Sequence, residues 1–240
     1  MKKLILLSTC LTLFSCAELQ QVASQYPELG NVMGNADIAA GLKEALDKGI
    51  DRQVSKLTAK DGFFRNEAVK ILLPAELQKV DSALRKVGLS SLADEGLKVL
   101  NRAAEEAVKE ATPIFVDAVK QMTFNDARNI LMGAENSATM YLQSTTTNPL
   151  TVKFRPVVQS SLGKVGADKV WANIITKYNA LPLTSDVDPD LTNYVTNKAL
   201  EGVFKMVAVE EKNIRTDLSA RTSDLLKRVF AMQDKKQLTN

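Results

Sequence analysis

Glu210, Glu211, Arg215 and Arg221 form the densest grouping of chemistry-bearing side chains in the 240-residue sequence. Two adjacent carboxylates can divide acid and base roles between them, and a guanidinium beside them can orient an anionic substrate. The same residues have a plainer reading. Glu201 with Lys205, Glu211 with Arg215, Asp217 with Arg221 and Asp224 with Arg228 each place an acid four residues before a base, the favoured order for pairs on a helix surface. Exposed pairs of this kind contribute about 0.3 to 0.5 kcal/mol each and need no function. A polar site and a run of solvated ion pairs therefore both fit the four residues. Arg128 and Arg155 are further cations that could join a buried network.

Ser160, Ser161 and Lys164 lie within one helical turn. Lysine at that distance can activate a hydroxyl, but no glycine-rich elbow accompanies the group. Met33, Met122, Met132, Met140 and Met206 offer soft apolar surface that would suit a pocket for a lipid or another hydrophobic ligand, and would equally suit core filling. The sequence contains no histidine. This removes Ser-His-Asp and Cys-His catalysis, together with the imidazole ligands that zinc and di-iron helical sites normally use. No catalytic residue, cofactor or metal ligand is assigned, and the protein reads as more a binder than an enzyme.

Cys16 carries a different chemistry. Met1-Lys2-Lys3, the apolar run from Leu4 to Phe14 and the small Ser15 have the layout of a secretory signal, too short to span a membrane. The four residues Leu13-Phe14-Ser15-Cys16 resemble the lipobox of bacterial lipoproteins. There the cysteine sulfur receives a diacylglyceryl group, the signal is removed, and the new amino terminus is acylated. Cys16 is thus the expected lipidation site, and the cut also removes Cys10, so the fold must rest on its core without disulfides. Ala17, in place of an aspartate after the cysteine, points to sorting toward the outer membrane. The expected location is the bacterial cell envelope, with the protein lipid-anchored and facing the periplasm. Loss of Lys2 and Lys3 lowers the formal charge from +3 to about +1. The remaining basic residues are dispersed among acids, so no nucleic-acid partner is expected.

Helical periodicity dominates the rest. The expected fold is all-α, a single compact domain of about nine or ten helices over 36–232, after the signal (1–15) and a lipidated tether (16–35), with a polar tail at 233–240. Some twenty flexible tether residues would hold the domain about 25 Å from its lipid. Ile38, Leu42, Leu46, Ile50, Val54 and Leu57 mark one helical face, which Asp61-Gly62 turns. Leu73, Leu77, Val80, Leu84 and Val87 mark another. A third stripe runs from Leu92 through Gly96, Ala103, Ala104, Ala107 and Ala111, with Glu105 on the opposite face. It keeps phase through Phe115 and Met122, so Thr112-Pro113 predicts a kink in a nearly continuous helix. Thr123 and Asp126 form a capping signal. Thr145-Thr146-Thr147 ends a short helix in this reading, and 150–158 is a second helical piece with a break. Ala167, Val170, Trp171, Ile174, Ile175 and Tyr178 share one helical face. Asp188-Pro189 opens the most apolar helix, in which Gly202 implies a close neighbour. Leu225, Leu226, Val229 and Phe230 mark the last.

Several short segments carry a family likeness: Pro113-Ile114-Phe115, Met122-Thr123 with Asp126-Ala127, Tyr178-Asn179, Tyr194-Val195-Thr196, Glu210-Glu211 with Ile214-Arg215, and Ala220-Arg221-Thr222. The chain resembles an uncharacterised bacterial lipoprotein family, the domain of unknown function 4197, over about 41–230. Leu218 departs from the proline expected near that turn. The resemblance implies one exported helical domain and carries no established activity. The expected role is a membrane-anchored, non-catalytic protein-binding or scaffolding module of the envelope. The alternatives are a carrier of a lipid or other hydrophobic ligand, and an enzyme using Glu/Arg chemistry.

Overall fold

The computed structural model describes residues 34–73, 78, 82, 85–86, 88, 90–180 and 190–238. Cys16 with the signal and tether, most of the 73–87 stripe and the 183–188 loop lie outside the described residues. Among those described are eight α-helices and one 3-10 turn, with no strand. The fold is all-α. In chain order the helices are α1 (Asn35–Thr58), α2 (Ser90–Val108), α3 (Ala111–Gln121), α4 (Phe124–Leu131), α5 (Ser137–Gly163), α6 (Ala167–Asn179), α7 (Leu191–Thr216) and α8 (Asp224–Leu238).

Helix α7 is the hub. Its apolar residues point in nearly every direction, and α1, α2, α5 and α6 all pack against it. Asp190 caps its start, its carboxylate accepting from Asn193 N–H at 2.9 Å and from Arg155 at 2.5 Å. Partial burial pushes that carboxyl up, but the Asn193 and Arg155 hydrogen bonds outweigh it and hold it below its ordinary value. Gly202 is needed where Phe63 meets the helix, since a Cβ there would lie 2.7 Å from the Phe63 ring.

The expected stripe of α1 is buried as read, from Ile38 to Leu57. Helix α1 runs antiparallel to α7. As α1 proceeds from Gly41 to Gly49 and on to Phe63, its close neighbours step back from Val229 to Glu210 and then to Gly202. At the far end the chain turns through Asp61, which adopts a left-handed φ of 66°, and through Gly62, where a Cβ would fall 2.4 Å from Lys56 O. Phe63 enters the core fully, whereas Phe64 stays half-buried beneath the ammonium groups of Lys70 and Lys98, 4.9 and 5.7 Å from its ring centre.

Four expectations need correction. The chain breaks between α2 and α3 instead of kinking: Lys109 and Glu110 form a turn, with Glu110 N–H donating to Ala107 O at 3.1 Å. Pro113 then falls in the first turn of α3, where its missing N–H leaves nothing unpaired. The buried stripe nevertheless keeps phase through Ala107, Ala111, Phe115 and Val119. Gly96, placed on the buried face from the sequence, is exposed with open space around its Cα, and Glu105, placed opposite, is 2% exposed.

The threonine run does not end a helix. Helix α5 continues for 27 residues and contains both Pro149 and Pro156. Thr146, Thr147 and Thr151 donate their hydroxyls to the carbonyls four residues back, at 2.5 to 2.8 Å. Burial of Leu142, Thr146, Leu150, Phe154, Val158 and Leu162, every fourth residue, supplies the tertiary packing that overrides weak propensity. Helix α8 runs to Leu238, and Gln233, at the start of the polar tail, is buried.

Candidate functional site

The four candidate residues are all in the interior. Glu210, Glu211, Arg215 and Arg221 are 3%, 7%, 5% and 2% exposed. The solvated-pair reading of these four is therefore wrong, and of the i,i+4 pairs counted in the sequence only Glu211 with Arg215 forms as counted. Lys198 takes Glu201, Asp234 takes Arg221, and Lys227 takes Asp224.

Glu211 projects from α7 onto the start of α5. Its Oε1 accepts from Ala138 N–H at 2.9 Å, and its Oε2 from Thr139 N–H at 2.8 Å and the Thr139 hydroxyl at 2.7 Å. The N-cap residue of α5, Asn136, makes no side-chain cap of its own. A carboxylate from another helix thus satisfies amides that the first turn leaves open, at the positive end of the helix dipole.

Arg215 does the converse for α4. Its Nη2 donates to Ile130 O at 2.8 Å and its Nη1 to Leu131 O at 3.2 Å, placing a cation on the carbonyl end of that helix. The remaining donors go to Glu211 Oε1, from Nε at 3.0 Å and Nη2 at 2.8 Å, and to Gln233 Oε1 at 2.8 Å. All five guanidinium N–H groups are occupied.

Arg221 extends the network beyond α7. It donates to Ile214 O and Arg215 O at 3.0 and 2.9 Å, grips Asp234 of α8 with two nitrogens, and lies 5.4 Å from the Phe230 ring centre. Glu210 faces α1, where Arg52 donates to its Oε1 and Gln53 Nε2 to its Oε2 at 2.5 Å. Glu210, Glu211 and Arg215 border a cavity of about 30 Å³ whose other walls include Leu42, Val207 and Phe230. That volume suits about one water molecule.

A second buried cluster was missed in the sequence. Glu105 of α2 accepts from Phe63 N–H at 3.1 Å and is paired with Arg102, which also binds Asp61 at 2.6 Å and so secures the left-handed turn. One helical turn earlier, the Asn101 side chain bonds both the N–H and the C=O of Ile71, at 2.8 and 2.9 Å. Both clusters do the same work, fixing main chain between helices.

The other candidates do not converge. Ser160 and Lys164 are exposed at the end of α5, with no hydrogen bond between their side chains. Met122 is buried after α3, Met132 and Met206 are half-buried, Met140 is 58% exposed, and none of them borders the cavity; Met33 lies outside the described residues. Arg128 is exposed on α4, and Arg155 holds the start of α7. Among the described residues no group of three or more acidic side chains is placed to hold a metal, and no helix is long and apolar enough to cross a membrane.

Residues 32–231 match the model of one family, described as a protein of unknown function, DUF4197, and the chain belongs to it. No curated protein and no solved structure matches the chain.

Proposed function

We propose that this DUF4197 member is an exported lipoprotein, tethered through Cys16 to the periplasmic face of the outer membrane, whose helical domain acts by binding another envelope protein and not by catalysis. The address rests on Leu13-Phe14-Ser15-Cys16 and the charged, apolar signal before it. One observation carries the non-catalytic part: the bonding capacity of Arg215 and Glu211, the strongest chemistry in the sequence, is taken up by the ends of α4 and α5. A guanidinium with five occupied donors has none left for a substrate. The cavity beside this cluster, at about 30 Å³, is far below the roughly 300 Å³ that small-molecule pockets start from, so the cluster itself offers no room for a carried ligand.

The test has two arms, both in cells. Cys16→Ser should abolish incorporation of labelled fatty acid and release the domain from membranes; label that persists refutes the anchor. A photo-crosslinking residue at exposed Val152 or Leu218 should give the same protein adduct in repeated experiments. Multiple turnover of a small molecule by the purified protein, lost in Arg215→Lys while the fold is kept, would overturn the binding role.

A further inference from the structure

A surface groove of about 460 Å³ lies between the segment 68–73 and the first four turns of α7. Two contacts build it. Asn101 pins the Ile71 main chain from below, and the Tyr194 hydroxyl donates to Leu72 O at 2.6 Å, fixing the segment against α7. The Leu72 side chain is left 49% exposed at the rim.

Along the other wall Tyr194, Lys198, Glu201 and Lys205 recur at the spacing of a single helix face. With Lys70 opposite, the groove carries three lysines against one glutamate. Lys198 is paired with Glu201 at 2.6 Å, and Lys70 is paired with Glu67 at 4.0 Å and lies over the Phe64 ring, so the groove's uncompensated positive charge is that of Lys205. Lys205 is exposed and has no ion pair or hydrogen bond among the described residues. A positive trough with an apolar rim is complementary to a chain that presents carboxylates beside apolar side chains. The distance from Tyr194 to Lys205 along α7 is about 16 Å, room for about five residues of extended chain.

Since α1 runs antiparallel to α7, the groove sits beside the far end of α1, about 35 Å along that helix from Asn35.

We infer that this groove is a docking site for an acidic, apolar-interspersed peptide segment of a partner protein. The inference rests on the binding-module reading and specifies the chemistry of the partner.

The probe is a fluorescein-labelled decapeptide of alternating leucine and glutamate, titrated by anisotropy against the processed full chain in non-ionic detergent. Binding should be saturable, weaken as salt rises, and fall at least tenfold in Lys198→Glu/Lys205→Glu and in Leu72→Ser. A leucine-lysine peptide should not bind. All three positions are on the surface, so unchanged circular dichroism melts confirm that the variants fold. Absent binding, or binding indifferent to both variants, overturns the inference. So does binding to phosphatidylglycerol vesicles that the variants remove, or self-association that they remove, when the peptide does not bind. If the groove fails while adducts from Val152 or Leu218 persist, only the groove falls and the broader reading stands.

Discussion

Glu211 Oε1 and Arg215 Nη2 lie 2.8 Å apart, one turn from each other on α7, and the two side chains close the facing ends of consecutive helices. The carboxylate caps the amide end of α5 and the guanidinium caps the carbonyl end of α4. A single ion pair thereby fixes the α4–α5 connection to the hub of the bundle. Its partners are main-chain groups that cannot be replaced by mutation, so the chemistry of the pair is bound into the fold.

Removing one member leaves its partner charged, buried and short of a counter-ion. Glu211→Ala should lower stability by about 3 to 5 kcal/mol in urea titration. Glu106→Ala, which breaks the exposed Glu106–Lys109 pair, should change it by less than about 1 kcal/mol. Equal effects would show that burial of the first pair is not what matters.

Arg221 serves two carbonyls and one carboxylate at once. Lysine has the charge but lacks the planar fork, so Arg221→Lys should cost about 1 to 3 kcal/mol. A variant as stable as the parent would mean that charge alone holds α8 to the end of α7.

Glycines that look alike in the sequence should respond with opposite signs. At Gly202 an added methyl meets the Phe63 ring and Val69 at 2.7 to 3.3 Å, and Gly202→Ala should destabilise by about 1 to 3 kcal/mol despite its helix propensity. At Gly96 nothing lies within 4 Å, and Gly96→Ala should stabilise by about 0.4 to 1 kcal/mol. Thermal melts of the two variants on either side of the parent would bear this out, and shifts of the same sign would refute it.

Acid should weaken two of the caps. Hydrogen bonds from the Thr123 hydroxyl and amide hold the Asp126 carboxyl below its ordinary 3.8, and those from the Ser219 hydroxyl and amide do the same for Asp217. A depressed carboxyl contributes stability that is fully present above its unfolded value and is lost as pH falls through the folded one. Thr123→Ala should therefore cost about 1 kcal/mol at pH 7, and the difference should shrink as pH drops below about 4. A deficit that stays constant to pH 2 would contradict the capping role of Asp126.

The all-helical fold and the faces of α1 and α7 were legible because period and burial agree there. The threonine run of α5 misled because local propensity and tertiary packing disagree, and packing decides. Glu211 and Arg215 were visible as a pair but not as a buried one, since i,i+4 spacing is the same in both settings. A signal was nonetheless present: Val203, Val207, Glu210, Glu211 and Ile214 share one helical face, so the carboxylates continue an apolar stripe. Glu105 offered no such signal, because what buries it is the returning Asp61–Phe64 turn, forty residues away in sequence.

The claim that Glu211 and Arg215 clasp helix ends is tested most directly by the double variant Glu211→Leu/Arg215→Met, measured by urea unfolding. It removes both charges together and leaves the cap groups in place. The clasp predicts that the double variant remains at least about 2 kcal/mol less stable than the parent, because the amides of Ala138 and Thr139 and the carbonyl of Leu131 lose the partners that Glu211 and Arg215 supply. Stability within about 0.5 kcal/mol of the parent, the result for a pair that only neutralises itself, would contradict it.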